Sequence, residues 1–103
     1  MLPEEAATSQ PVRIPSYAPK FTTELEALPD GVVRSALRLI GGLAAGDGAA
    51  FRGARRLRLD RDIWRQRVGP SYRLLFRLGP RRLETLALVS RQEFERAVKR
   101  LTS

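Results

Sequence analysis

The chain has 103 residues, which suffices for one domain but not for two independent cores. Its apolar content of 43% excludes a disordered polymer, and the absence of cysteine and histidine excludes disulfides, thiol catalysis, imidazole acid–base catalysis and histidine-ligated metals. No apolar run approaches the roughly 20 residues of a membrane span, and the acidic N-terminus differs from a secretory signal, so we expect a cytoplasmic protein.

Positive charge is concentrated in the second half of the chain. Residues 1–51 carry four basic and six acidic side chains, whereas residues 52–103 carry fifteen basic and five acidic ones. Such asymmetry indicates one strongly positive surface, whose natural partner is a phosphate polymer or an acidic protein. The alternative is a basic surface without a partner, in a protein from a GC-rich genome where arginine replaces lysine.

The N-terminal part of the chain predicts a leader and one short strand. Residues 1–11 show neither periodicity nor an apolar face, so we expect a flexible leader followed by a single domain over residues 12–103. Residues 12–14 alternate as in a strand. Pro15 and Pro19 then bracket a turn, which makes this strand short or places it at a sheet edge.

Two helices joined by a sharp corner are predicted next. An apolar stripe at helical spacing begins at Phe21 and ends before Pro29. Asp30 is a candidate N-cap for a second helix, which a glycine at 46 or 48 ends. The predicted buried face of the second helix consists of Val33, Ala36, Leu37, Ile40, Leu43 and Ala44.

The second half of the chain alternates as strands separated by turns that contain glycine, proline or aspartate. The predicted strands cover residues 56–59, 63–68, 72–78 and 83–89, and a last helix covers residues 91–101. The predicted fold is therefore α+β, in the order β-α-α-β-β-β(-β)-α, with an antiparallel sheet. We expect the helical hairpin on one face of this sheet and a basic concave face opposite.

Arginine is the residue type that remains available for chemistry. Three arginines lie on adjacent predicted strands that flank one turn, a fourth shares their face and a fifth opens the last helix: Arg65, Arg67, Arg73, Arg77 and Arg91. A guanidinium is permanently charged, holds phosphate oxygens bidentately and can stabilise charge that develops in a transition state. These residues could together clamp a phosphodiester.

The aromatic and acidic side chains also have ordinary structural interpretations. Trp64, Tyr72 and Phe94 could stack on bases. A place in the core is more typical of Trp64 and Phe94, whereas Tyr72 suits either role because its hydroxyl tolerates a wet edge. The acids of the second half stand beside arginines, which is typical of surface ion pairs and not of a metal cage. We therefore predict neither a metal nor a cofactor.

Two segments resemble, in order and spacing, the RelE/ParE superfamily of toxins from type II toxin–antitoxin systems. Residues 55–78, RRLRLDRDIWRQRVGPSYRLLFRL, are similar to the family's basic segment, aromatic-plus-arginine strand, glycine turn, and Tyr-Arg that opens an apolar strand. Residues 86–101, LALVSRQEFERAVKRL, are similar to its last strand, basic residue and C-terminal helix. The resemblance covers nearly everything from Val12 onward.

The resemblance implies a toxin with an acidic antitoxin as its partner. Ribosome-dependent members cleave mRNA without a metal, because the RNA 2′-hydroxyl attacks the adjacent phosphate, and another branch inhibits DNA gyrase. The first branch implies the ribosome and mRNA as further partners. It implies three catalytic candidates and four RNA-binding candidates: Arg73, Arg91 and Arg67 for catalysis, and Arg65, Arg77, Arg58 and Tyr72 for binding.

Two departures from the family pattern leave the activity open. Ser90-Arg91 stands where many active nucleases have His-Arg, and Phe94 is the aromatic nearest to the position of a late tyrosine or histidine. Arginine donates protons poorly, so proton transfer lacks an obvious residue. The leading hypothesis is a ribosome-dependent mRNA endonuclease. The alternatives are a ParE-like gyrase inhibitor, a non-catalytic basic binding module of the same fold, and a basic domain unrelated to toxins.

Overall fold

The structure, a computed structural model, describes residues 10–103 as a five-stranded sheet with helices on both faces. In chain order the elements are β1 (Ile14–Tyr17), α1 (Pro19–Glu26), α2 (Asp30–Ala44), β2 (Arg55–Arg56), β3 (Ile63–Val68), β4 (Tyr72–Leu78), β5 (Arg82–Ser90), a 3₁₀ turn (Arg91–Glu93) and α3 (Phe94–Thr102). The strand order is β1-β5-β4-β3-β2, with β1 parallel to β5 and the other neighbours antiparallel. This confirms the predicted α+β fold and element order, but the sheet is mixed and not wholly antiparallel as predicted, because β1 runs parallel to β5.

The predicted leader lies outside the described residues except for Gln10 and Pro11. Within residues 10–103, no helix is long and apolar enough to cross a membrane.

The first strand is an edge strand, as predicted, but the predicted bounds of residues 12–14 are wrong. β1 begins at Ile14 and contains Pro15. The Ile14 amide donates to the Arg81 carbonyl at 2.9 Å, so strand alternation turns the Pro15 nitrogen toward the open edge, where no ladder hydrogen bond is lost. Pro19 does not belong to a turn; it lies in the first turn of α1, where its missing amide has no helical partner to lose.

The corner between α1 and α2 and the end of α2 follow the predicted signals, but the predicted N-cap is wrong. α2 begins at Asp30 and ends at Ala44, and the N-cap is Pro29, so no side chain caps this helix and Asp30 is its first residue. Gly46 follows with a φ of 78°, the left-handed conformation that favours glycine after a helix. A Cβ at Gly46 would also clash with the Gln10 carbonyl oxygen, so the chain approaches too closely there for another residue.

The helical hairpin packs on one face of the sheet over the larger core cluster. This cluster contains Phe21, Ile40, Leu43, Leu74, Phe76, Leu83 and Leu88 among its buried residues. The prediction that Val33 and Leu37 lie in the core is wrong, because Leu37 is 44% exposed and Val33 is half-buried outside the cluster. Val32 and Leu39 pack there instead. Both residue sets have helical spacing, so periodicity alone could not fix the rotation of α2 about its axis.

The opposite face holds a smaller cluster under α3, whose members are Leu57, Ile63, Leu75, Ala87, Val89, Ala97 and Val98. A bulge shifts the alternation of β5 between the two clusters: Leu75 pairs with Ala87 but Phe76 pairs with Thr85, so Leu86 is an extra residue. The arginines of β3 and β4 lie on this opposite face, as predicted. Because α3 covers the middle of it, the arginines are separated into two groups at the two ends of the strands.

Candidate nucleic-acid interface

The centre of the candidate site is a pair of arginines that face each other across β3 and β4. Arg67 pairs with Arg73 one step before the turn, and Gly69 adopts a φ of 62° in that turn. Side chains directly opposite on one face have Cβ atoms about 4.5–5.5 Å apart, and like charges there are destabilising. The fold thus holds the two positive charges of Arg67 and Arg73 close together, although their repulsion is unfavourable for folding.

The end of β5 brings a third arginine to this pair. The Arg91 amide donates to the Ser71 carbonyl at 2.9 Å, which ties the start of the 3₁₀ turn to the β3–β4 turn. Ser90 caps the 3₁₀ turn: its Oγ accepts from the Glu93 amide at 3.3 Å and donates to Glu93 Oε1 at 3.1 Å. Ser90 therefore has a structural role in this turn.

Arg73 is the most constrained member of the group. It is half-buried, and its Nη1 donates to the Tyr72 carbonyl at 3.0 Å. Burial lowers the pKa of Arg73, and the neighbouring charges of Arg67, Arg91 and Arg65 lower it further. We call these four residues the arginine cluster. The same charges that lower this pKa would attract a phosphate, whose negative charge would relieve their mutual repulsion.

Two of the predicted RNA-binding residues lie away from the arginine cluster. Arg77 pairs with Ile63 and Glu84, four residues along β4 from Arg73, which is roughly 13 Å at the rise of a strand. Arg58 follows β2 at the same far end of the sheet, because the preceding Leu57 amide donates to the Ile63 carbonyl.

Two residues beside the cluster were missed by the sequence reasoning. Arg55 pairs with Arg65 and is exposed. It was missed because the predicted strand of residues 56–59 is wrong: β2 covers Arg55 and Arg56 only. Gln66 is buried, donates to the Ala50 carbonyl at 2.7 Å and accepts from the Arg67 amide at 3.1 Å. Strand alternation places Gln66 on the core face of β3. A polar residue at such a position was the signal in the sequence that it anchors the loop before β2.

The aromatic side chains differ in accessibility. Trp64 and Phe94 pack against the two core clusters, as predicted, although both are only partly buried. Tyr72 is half-buried at the start of β4. It lines a pocket with Ser90 and Arg91 and also a groove of about 340 Å³ between α1 and α3.

An acidic side chain lies in the same groove. Glu24 Oε1 accepts from the Leu88 amide at 2.8 Å, where β5 extends beyond the end of β1 and has an open edge. Burial raises the pKa of Glu24, although the Leu88 hydrogen bond and the charges of Arg100 and Lys20 lower it.

Within residues 10–103, no group of three acidic side chains could hold a metal ion.

Comparisons with known proteins identify the family. The family model described as ParE-like toxin domain matches residues 30–96. Among solved structures, the chain is similar to a chain in the crystal structure of the toxin–antitoxin complex RelBE2 from Mycobacterium tuberculosis, with a TM-score of 0.64 and 20% identity over 81% of this chain and 94% of that chain. That likeness shows the fold. A search of curated protein sequences found no match. Because the family model covers more than half of the chain, the protein belongs to the ParE-like toxin domain family of the RelE/ParE superfamily.

Proposed function

We propose that this RelE/ParE-type toxin is a ribosome-dependent mRNA endonuclease that inhibits translation. The observation that supports this most is the arginine cluster, in which the half-buried residue Arg73 lies among three further arginines at one end of the sheet. Guanidiniums hold phosphate oxygens bidentately. The positive charges of the cluster repel one another in the free protein, and a bound phosphodiester would relieve that repulsion with its negative charge.

In this mechanism Arg73 contacts the scissile phosphate and Arg67 and Arg91 flank it. The RNA 2′-hydroxyl loses its proton to water and its oxygen bonds to the phosphorus, while the bond to the 5′-oxygen breaks and that oxygen takes a proton from water. The products are a 2′,3′-cyclic phosphate and a 5′-hydroxyl. Negative charge on the phosphate oxygens rises during the attack. Fixed guanidiniums stabilise that charge without reorganising, which is the role of a preorganised electrostatic site.

Proton transfer is the weak part of this site. The sequence contains neither histidine nor cysteine, guanidiniums donate protons poorly, and Ser90 is occupied in capping the 3₁₀ turn. We therefore expect positioning and charge stabilisation to supply most of the rate enhancement, with slow cleavage as the result.

The partner that we propose is an acidic antitoxin segment that folds on binding and covers the arginine cluster. The support is the charge itself, since a net charge of +8 would attract RNA non-specifically unless neutralised. In a purified complex with such a partner, Arg73 and Arg91 should become less accessible to an arginine-modifying reagent than in the free protein. Unchanged accessibility of both would contradict this mode of neutralisation.

The same site supports a second candidate function, inhibition of DNA gyrase or binding without cleavage. The lack of histidine and cysteine favours this candidate, because inhibition by binding needs no proton transfer. The arginine cluster would then hold a phosphate or a carboxylate of the target.

Expression in bacteria, with growth and transcript ends followed together, separates the two candidates. If the proposal is right, growth stops and new transcript ends appear within translated codons. Arg73→Gln should lose both effects, while Arg38→Gln, which removes an exposed charge from α2, should keep them. Growth arrest with intact transcripts, together with inhibition of supercoiling by purified gyrase, would favour the second candidate.

A further inference from the structure

A second group of basic side chains surrounds Trp64 on the hairpin side of the sheet. Arg13, Arg56 and Arg61 line, together with Trp64 and Asp62, a pocket of about 280 Å³. We call it the Trp64 pocket. It lies on the face opposite the arginine cluster, because Trp64 packs against the hairpin-side core whereas Arg65 and Arg67 project from the other face of β3.

Two of the three guanidiniums are held in place before any ligand binds. Arg56 lies over the Trp64 ring, with its Cζ 4.9 Å from the ring centroid. The indole in turn stacks on Phe76, with centroids 6.3 Å apart and planes 14° apart. Arg13 donates from Nε to the Gly79 carbonyl at 2.7 Å and from Nη1 to Gln10 Oε1 at 3.3 Å. Because these side chains are already ordered, binding an anion loses little further conformational entropy.

The edge strand β2 connects the Trp64 pocket to the arginine cluster. Arg55 pairs with Arg65 and Arg56 pairs with Trp64, so these consecutive exposed residues project from opposite faces of the sheet at its edge. Basic side chains therefore continue around this edge from one face to the other. From Arg73 to Arg56 the path spans two strand spacings and three residues, roughly 14 Å between Cα positions.

We propose that the Trp64 pocket binds a phosphate of the same RNA strand whose scissile phosphate lies in the arginine cluster, and that the strand crosses β2 between them. This rests on the proposed function. The ligand is a phosphate and not a base, because Phe76 and Arg56 both stack on the indole and a base would have to displace one of them. Guanidiniums that line one pocket can donate to the oxygens of a phosphodiester.

Trp64 is the single tryptophan of the chain, so its fluorescence reports occupancy of this pocket directly. The full chain is titrated with labelled, cleavage-resistant RNA oligonucleotides of about 4 and about 12 nucleotides, which bracket common single-strand site sizes. Binding is followed by the anisotropy of the label and, separately, by Trp64 emission. We expect both oligonucleotides to bind and only the long one to change Trp64 emission.

Arginine variants then connect this signal to affinity. Arg61→Gln and Arg56→Gln should weaken binding of the long oligonucleotide several-fold and reduce the slope of log affinity against log salt by about 0.7 for each lost phosphate contact. Binding of the short oligonucleotide should not change. Arg56→Lys, which keeps the charge without the bidentate fork, should retain the slope but lose affinity. Arg38→Gln removes an exposed charge outside both sites and should match the unmodified protein.

The outcomes separate this inference from the proposed function. If anisotropy reports binding of the long oligonucleotide but Trp64 emission and the Arg56 and Arg61 variants show no difference, the pocket does not bind the strand and the cluster remains the whole site. If neither oligonucleotide binds in either readout, this inference fails, whereas the ribosome-dependent function is decided separately by the transcript ends of the expression experiment.

Discussion

The two faces of β3 and β4 have the same strand alternation but are built from different residue types. On the hairpin face, Leu74 and Phe76 are fully buried in one contiguous cluster. On the other face, the positions nearest the turn are Arg67 and Arg73, whose charges repel each other. Burial and, after it, the charge of Arg67 lower the pKa of Arg73. One face therefore stabilises the fold, whereas the turn end of the other opposes folding, as expected where residues are retained for binding.

The largest effect on stability is expected on the hairpin face. Phe76→Ala should lower the free energy of unfolding by about 3–5 kcal/mol, because it leaves a cavity in a fully buried site. Leu37→Ala is the matched control on α2. Its side chain is 44% exposed, so the loss should stay below about 1 kcal/mol. Urea denaturation measures both, and similar losses would show that the buried face of α2 is wrongly assigned.

An intermediate effect is expected at Glu24, where the hairpin meets the open edge of β5. Glu24→Leu leaves the Leu88 amide without its acceptor and should lower the free energy of unfolding by about 1–3 kcal/mol. Glu24→Gln keeps an acceptor oxygen and removes the charge that burial disfavours. It should be at least as stable as the unmodified protein at pH 7.

The pH dependence of Glu24 follows from its raised pKa. The folded state holds the Glu24 proton more tightly than the unfolded state, so this carboxyl contributes stability below its ordinary pKa, and that contribution is lost as the pH rises through the raised folded pKa. Any advantage of Glu24→Gln at pH 7 should therefore shrink as the pH falls toward about 4. Thermal melts at both pH values test this, and an advantage that grew on acidification would contradict the burial of the carboxylate.

The smallest effect has the opposite sign and belongs to the arginine face. Arg73→Met keeps the apolar stem and removes the charge, and it should raise the free energy of unfolding by about 0.2–1 kcal/mol, the range for directly opposed pairs. The gain should diminish near 1 M salt, where the Debye length is about 3 Å. Arg34→Met on α2 is the control and should have no such salt-dependent gain. Destabilisation by Arg73→Met at low salt would mean that the cluster is not repulsive.

Local sequence patterns predicted the helices and strands of this fold better than they predicted the register and packing of these elements against one another. The bounds of β3 and β4 follow from alternation, which also places Arg67 and Arg73 on one face. The sequence did not predict that Arg77 lies at the far end from Arg91, because cross-strand neighbours depend on register and on α3 covering the middle of the face. Nor did it predict the bulge at Leu86, which reverses the alternation of β5.

The central claim is that Arg73 acts in catalysis and not merely in general attraction for RNA. Single-turnover cleavage of mRNA on programmed ribosomes should be compared for Arg73→Ala and for a variant with alanine at both Arg81 and Arg82, which are exposed around the start of β5. Loss of one preorganised donor should slow cleavage by Arg73→Ala about 100- to 1000-fold, whereas the double variant should mainly weaken binding and its salt dependence. Equal losses in the cleavage rate of both variants would contradict a particular role for Arg73.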